Sequence, residues 1–432
     1  MVSADFAQAA VLCPAEVGEA EFAIGAAATG PQGALYVSGE LEVTARLVRW
    51  SVDLYRLTDE TLAKLETLGY DAAGFALGPA LPGLALVGFA LYETNPELSK
   101  LLAPGLVANL QSEMYDNPWL QEALTRMAPD LVQGGAFSLS ILLGPGGPLA
   151  LTALSGGSWP TGDYQSSIAG LLTLAGHAGM LQDTGDFDAT ATGDTAPVGL
   201  ASDQFLRNIY LQQQLSHDTA QVQVITVMHD GKPSYVVQIP GTQDWALKRG
   251  DNPVDLSTNI QLEAMAGSTK MQQAVADAMT KAGIKPGDPV MLTGHSQGGI
   301  TAAAMVTDPN LHFNIKSVVT AGSPIGNYHI PGNVSVMSLE EKQDIVPKLD
   351  GADNPDQPNW VTVTRDLGTG SPTLPGHDLG SAHSTENYTQ TGHDVDSSTA
   401  ASIAAWRAAN TDFFTSGDQT GSAQRYQISP TR

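Results

Sequence analysis

Serine, acid and histidine side chains occur in this chain in an order and spacing suited to covalent acyl chemistry. Ser296 stands in Pro289-Val290-Met291-Leu292-Thr293-Gly294-His295-Ser296-Gln297-Gly298-Gly299, and the small-residue stretch from Ile300 to Val306 follows as a helix candidate. An apolar run, Gly-x-Ser-x-Gly and then a helix are the sequence form of a strand, a sharp turn and a helix that lift a serine hydroxyl clear of a sheet edge. Bulk two residues before or after the serine would collide with the neighbouring strand and helix, so the chemistry requires the glycines. A serine hydroxyl is a weak nucleophile until a base takes its proton and a third group orients that base. Ser296 is the candidate nucleophile.

On a sheet of this kind the partners follow in the order acid, then histidine. The strand-like run Asn333 to Ser338 leads into Leu339-Glu340-Glu341-Lys342-Gln343-Asp344-Ile345-Val346-Pro347. Asp344 has the least polar neighbours of the local acids and is the candidate orienting acid. Glu340, Glu341, Asp350, Asp353 and Asp356 read as solvated loop charges. His377, His383 and His393 compete for the base in a glycine-rich polar stretch, 376–396. His383 is preferred because Ser381 to Tyr388 reads as a loop entering a helix, whereas His377 and His393 precede Asp378 and Asp394 in contexts that suit exposed turns.

These segments together resemble class 3 (fungal-type) lipases. Ser234-Tyr235-Val236-Val237-Gln238-Ile239-Pro240-Gly241-Thr242-Gln243-Asp244-Trp245 looks like that family's strand and Gly-Thr turn, followed by an Asp-Trp pair and a helix, here 259–282. Gly294 to Gly299, Asp344 to Pro347 and His383 with Tyr388 match its pattern in its order. Pro240 stands where many members carry arginine. The resemblance covers roughly the C-terminal half and implies an α/β-hydrolase fold. It further implies an oxyanion hole formed by Thr242 and the backbone N–H of Gln297. Physical chemistry agrees, because Gln297 opens a helix and has no intrahelical acceptor for its N–H. Thr242 follows a glycine at a strand end and offers both backbone and hydroxyl donors.

The elements that must position these groups read as an α/β domain over 199–415. It has a helix at Gln204–Leu215 and strands at Val222–Met228, Ser234–Ile239, Val290–Thr293, Ile315–Ala321, Val334–Met337 and Trp360–Thr364. Helices between most of them indicate a central, mostly parallel sheet with crossovers. Residues 182–198, rich in Gly, Asp and Thr, read as a linker, and 416–432 as a loosely ordered tail. Residues 1–181 form an apolar, largely helical region expected to act as a cap, a lid or a secretion module. Within it, Leu41 to Glu60 looks similar to the helical hairpins of actinobacterial type VII secretion substrates, and Tyr55-Arg56-Leu57-Thr58-Asp59 fits their Tyr-x-x-x-Asp/Glu signal. The apolar stretches 72–92 and 136–154 are broken by prolines and lack flanking basic clusters, so they read as buried helices or a mobile cap rather than membrane spans.

The 432 residues carry 45 acidic against 20 basic side chains, a net charge of −25. Such a charge repels nucleic acid and anionic membrane surfaces. One cysteine, Cys13, leaves no intrachain disulfide framework and no cysteine-cluster metal site. No metalloprotease, EF-hand or phosphate-loop pattern occurs, so neither metal nor cofactor is expected. Asp5 and Cys13 lie where a signal peptide needs a basic start and a clean apolar run. The expected location is outside the cell by a route without a cleaved leader, or otherwise the cytoplasm. The expected activity is that of a serine lipase or esterase, hydrolysing the carboxylic esters of acyl lipids through a Ser-Asp-His triad and a covalent acyl-enzyme, with peripheral contact to a lipid surface and a secretion partner for the N-terminal helices. Two alternatives remain at this stage: acyl transfer to an alcohol by the same residues, and an effector or binding protein with an inactive hydrolase scaffold.

Overall fold

The computed structural model describes residues 114–119, 121–122, 125–126, 152–157, 164–177, 179–214, 220–265, 267–368, 378–417 and 419–431. The readings made of Cys13, of Leu41 to Glu60 with its Tyr55 motif, of 72–92, of most of 136–154 and of His377 lie outside them. Eight strands make one sheet in the order β1-β8-β2-β3-β4-β5-β6-β7. In chain order they are β1 (Phe187–Val198), β2 (Gln221–His229), β3 (Lys232–Ile239), β4 (Pro289–His295), β5 (Asn314–Ala321), β6 (Ser335–Glu341), β7 (Trp360–Arg365) and β8 (Gly421–Pro430). Strands β3 to β7 are parallel, each paired with the next, and β2, β8 and β1 add antiparallel pairings on one side. The expected α/β architecture is present, with α1 (Tyr164–His177), α2 (Phe205–Gln214), α3 (Leu256–Glu263), α4 (Lys270–Lys281), α5 (Gln297–Thr307), α6 (Leu379–Ala382), α7 (Thr385–Asp396) and α8 (Ala401–Ala409).

Strand side chains alternate between faces, and both faces of this sheet are covered, so the central strands are apolar at successive positions. Val290 and Leu292 join a core with Met271, Ala274 and Val275 of α4 and Ile300 of α5. Met291, one residue away, joins the opposite core with Phe205 and Tyr210 of α2, Tyr388 of α7 and Trp406 of α8. Neighbours Val318 and Val319, and Val336 and Met337, divide in the same way. The loops at the ends of these strands therefore rise from a layer held on both sides.

Three segments differ from expectation. The helix expected over 259–282 is two helices. The chain turns with positive φ at Met265 and Gly267, and α4 restarts behind a capping box in which Thr269 and Gln272 exchange side-chain and backbone hydrogen bonds. The expected linker 182–198 contains β1, and the expected loose tail contains β8. These two pair with each other from Phe187↔Pro430 to Val198↔Gly421, with a register shift between Thr192 and Ala196. Their composition reads as loop because β1 is the outermost strand. Only Ala189 and Val198 of its side chains are buried, so Thr and Asp are tolerated along the rest. β8 keeps a sparse apolar pattern, with Ala423, Tyr426 and Ile428 buried between polar residues. The chain before β1 is fastened too. The Arg249 guanidinium, 5% exposed, bonds Asp183 and, at 2.9 Å, both oxygens of Asp255.

If β8 is a core strand, Ile428→Ala removes a buried side chain that is 2% exposed and should cost about 2–5 kcal/mol in denaturant unfolding. A loose tail would give a change near zero.

Candidate active site

The turn at Ser296 depends on contacts too close for any side chain. A methyl group placed on Gly294 would lie 2.1 Å from the backbone carbon of Gly298, and one on Gly298 would lie 2.1 Å from the carbonyl oxygen of Ile239 in β3. β4, α5 and β3 thus touch backbone to backbone, and Ser296 is forced into φ 56° and ψ −127°. That region costs a non-glycine residue about 1–3 kcal/mol and persists only where the surroundings fix it. Here they do. Ser296 N–H donates to the Ala321 carbonyl at 2.9 Å, and its own carbonyl accepts from Gly299 N–H at 3.0 Å and from Ser323 Oγ at 2.8 Å. The side chain borders a cleft of about 420 Å³ lined also by Thr242, Trp245, His295, His383 and Glu386.

His383 borders that cleft, with Asp344 behind it. Asp344 lies in the loop after β6 and is fully buried. Its Oδ2 accepts from His383 Nδ1 at 2.7 Å and from the Tyr388 hydroxyl at 2.8 Å, and Oδ1 accepts from Val346 N–H at 2.9 Å. A carboxylate can only accept, so Nδ1 carries the ring proton and Nε2 keeps the lone pair of a base. Ser296 and His383 both border the cleft, with no hydrogen bond between them among the described residues; such contacts close when a substrate is seated. His295 lies against His383. Its Nε2–H donates to the His383 carbonyl at 2.8 Å, and the two rings lie 4.5 Å apart at 33°.

Thr242 follows β3 at the same cleft. Asn259 of α3 donates its amide to Thr242 Oγ1 at 2.7 Å. An amide N–H fills one of the hydroxyl's lone pairs and leaves the O–H proton to point elsewhere. Gln297 is the first residue of α5, so its N–H points out of the helix end beside Ser296. Its side chain donates to the Asp255 carbonyl at 2.6 Å, and Asp255 caps α3. Thr242, Gln297 and α3 are thereby tied into one unit.

The acids around Asp344 differ from expectation. Asp353 and Asp356 are exposed, as solvated loop charges should be, but Glu341 and Asp350 are buried and Glu340 is half-buried at the end of β6. Burial pushes Glu341 up to about 8, Glu340 to about 7 and Asp350 to about 6. Thr391 Oγ1 donates to Glu341, and Arg365 Nη1 lies 3.5 Å from it. A pair of acids at a strand end, read from sequence, gives no sign that one points inward. His393 is exposed on α7 and is not brought to the cleft. Sequence reasoning missed Asn259, which carries no local motif, and Gly322. The latter has φ +58°, and a methyl group there would lie 2.9 Å from Asp344 Oδ2 and 3.0 Å from His383 Cε1. The Gly322-Ser323-Pro324 turn after β5 was the available signal.

Residues 256–368 match the family described as PGAP1-like alpha/beta domain. This stretch holds Asn259, Ser296, Gln297 and Asp344 and stops short of His383. It carries a hydrolase-type α/β fold. No curated protein matches the chain.

Glu341 yields a prediction for stability. The folded chain holds its proton up to about pH 8, whereas the ordinary carboxyl value is 4.5. Between those values the folded state binds more protons than the unfolded one, so stability falls as pH rises through that window. Glu341→Gln should flatten the fall of melting temperature between about pH 5 and pH 8; an unchanged slope would show that Glu341 is ionised in the fold.

Proposed function

We propose that the chain is a serine carboxylic-ester hydrolase acting on neutral acyl esters, lipids among them. The observation that carries this reading is that Ser296 and His383 border one cleft, while buried Asp344 is hydrogen-bonded to the histidine nitrogen that points away from it. His383 Nε2 takes the Ser296 proton as Oγ attacks the ester carbonyl, and Asp344 stabilises the imidazolium that forms. The carbonyl oxygen becomes an oxyanion that accepts from Gln297 N–H and the Thr242 hydroxyl. Its collapse breaks the bond to the alcohol oxygen, which takes the proton from His383 and leaves an acyl group on Ser296. Water, deprotonated by His383 in turn, attacks the acyl carbon and restores the serine.

The cleft's composition supports the choice of substrate. Among the described residues no lysine or arginine lines it, and Glu386 stands at its edge, which disfavours anionic esters. Trp245, 67% exposed, offers an aromatic surface for an acyl chain, and Leu247, 52% exposed, lies two residues further on. The resemblance of four segments to class 3 lipases points the same way.

Fluorophosphonate labelling with peptide mapping tests the assignment: wild type should be labelled on Ser296. Ser296→Ala should lose labelling and several orders of magnitude in kcat on p-nitrophenyl esters while keeping its melting temperature. An unlabelled wild type, or an active Ser296→Ala, removes the assignment. Thr242→Val should lower kcat about 100- to 1000-fold; a change within about threefold would move the donor role from the hydroxyl to the backbone.

A further inference from the structure

The segment 114–126 is remote in sequence from every residue of the cleft, and no chemical motif marks it. One of its polar side chains, Gln121, nevertheless ends on the loop that carries Asp344. Gln121 is fully buried. Its Nε2 donates to the Gln343 carbonyl at 2.7 Å and to the Met114 carbonyl, within its own segment, at 2.9 Å. Its Oε1 accepts from Lys348 Nζ at 2.8 Å, and the same ammonium donates to the Lys342 carbonyl at 2.8 Å. The carbonyls of both residues directly before Asp344 are therefore gripped by one pair of side chains. Tyr115 packs in a small core with Leu367 and Ala382, the residue before His383. Arg126 adds an exposed ion pair to Asp353 at 3.0 Å, of minor worth at the surface.

We infer that segment 114–126 is a positioning element for Asp344 and His383, with Gln121 as its key residue. The inference rests on the function proposed above. A loop that only had to be covered could be covered by apolar side chains. Here a buried amide has both its donor and its acceptor side committed to the backbone and lysine that frame Asp344, and a buried amide left unmatched is costly. Asp344 reaches His383 through a single 2.7 Å bond, so a small displacement of residues 342–343 is transmitted to the base. Misplacement of a catalytic group by about 1 Å can lower a rate by up to about 100-fold. The described residues of 114–126 would then contribute to completing the catalytic geometry.

The test compares wild type with Gln121→Met, which keeps the volume and removes the clasp's hydrogen bonds, in the full-length chain. Four quantities are read: kcat and KM on a neutral p-nitrophenyl ester, the end-point stoichiometry of fluorophosphonate titration, and the low-field proton resonance of the His383–Asp344 hydrogen bond. The expected result is a kcat lowered about 10-fold or more with KM within about twofold, stoichiometry near that of wild type, and a shifted or broadened resonance. Unchanged kcat, a kcat that falls only in proportion to the titratable fraction, or an unmoved resonance overturns the inference. If Gln121→Met cannot be purified folded, Lys348→Met releases the clasp from its other side and is held to the same outcomes. A wild type that does not label at all would instead overturn the proposed function, so the two failures are distinguishable.

Discussion

Where β4 turns into α5 beneath β3, the backbones meet so closely that neither Gly294 nor Gly298 can carry even a methyl group. This steric constraint sets the geometry of the cleft. It fixes Ser296 in its left-handed backbone conformation, directs the Gln297 N–H outward, and brings the end of β3, with Thr242 just beyond it, against the serine turn. The strain at Ser296 is tolerable because its peptide groups are bonded to both sides, to Ala321 and to Ser323. Release of any one of these contacts would let the turn relax toward ordinary helix, with the hydroxyl drawn back from the cleft.

A second layer lies beneath Asp344 and consists of buried polar groups. Tyr388 donates to the carboxylate and receives the Glu341 N–H at 3.1 Å. Glu341 in turn meets Thr391 and Arg365. With its value pushed up to about 8 by burial, the Glu341 carboxyl is largely neutral at neutral pH, beside the Arg365 guanidinium. A neutral Glu341 avoids placing a second full negative charge beside that of Asp344, where the two would repel.

Much of the sheet was legible in the sequence because its central strands are buried on both faces. Val290 to Thr293, Ile315 to Ala321 and Val334 to Met337 are short apolar runs bounded by turn residues, and the structure has strands at all three. The structure also brings Ser296, Asp344, His383, Thr242 and Gln297 to one region, each at the end of an element or in the loop just after one. Illegible parts share a physical cause. β1 and β8 are held by ladder hydrogen bonds to each other and, for β8, to β2, which composition does not report. Asn259 and Gln121 make hydrogen bonds to residues far off in sequence, with no spacing rule to announce them. Glu341 and Asp350 looked like surface acids because burial depends on which way a side chain leaves its strand or loop, and one sequence with several acids in a row does not fix that.

The pairing of β1 with β8 has a consequence for synthesis. β8 sits between β1 and β2, so during translation β1 is made more than two hundred residues before its ladder partner, and β2 presents an open edge for the same interval. Contacts of such long separation form late and slow the search for the native state, and an unpaired edge is a template for strands of other chains. The threonines and aspartates of β1, which made it look like a linker, keep a waiting strand hydrated. This edge of the sheet can be completed only when the stretch from Gly421 to Pro430 pairs with β2 and gives β1 its ladder partner.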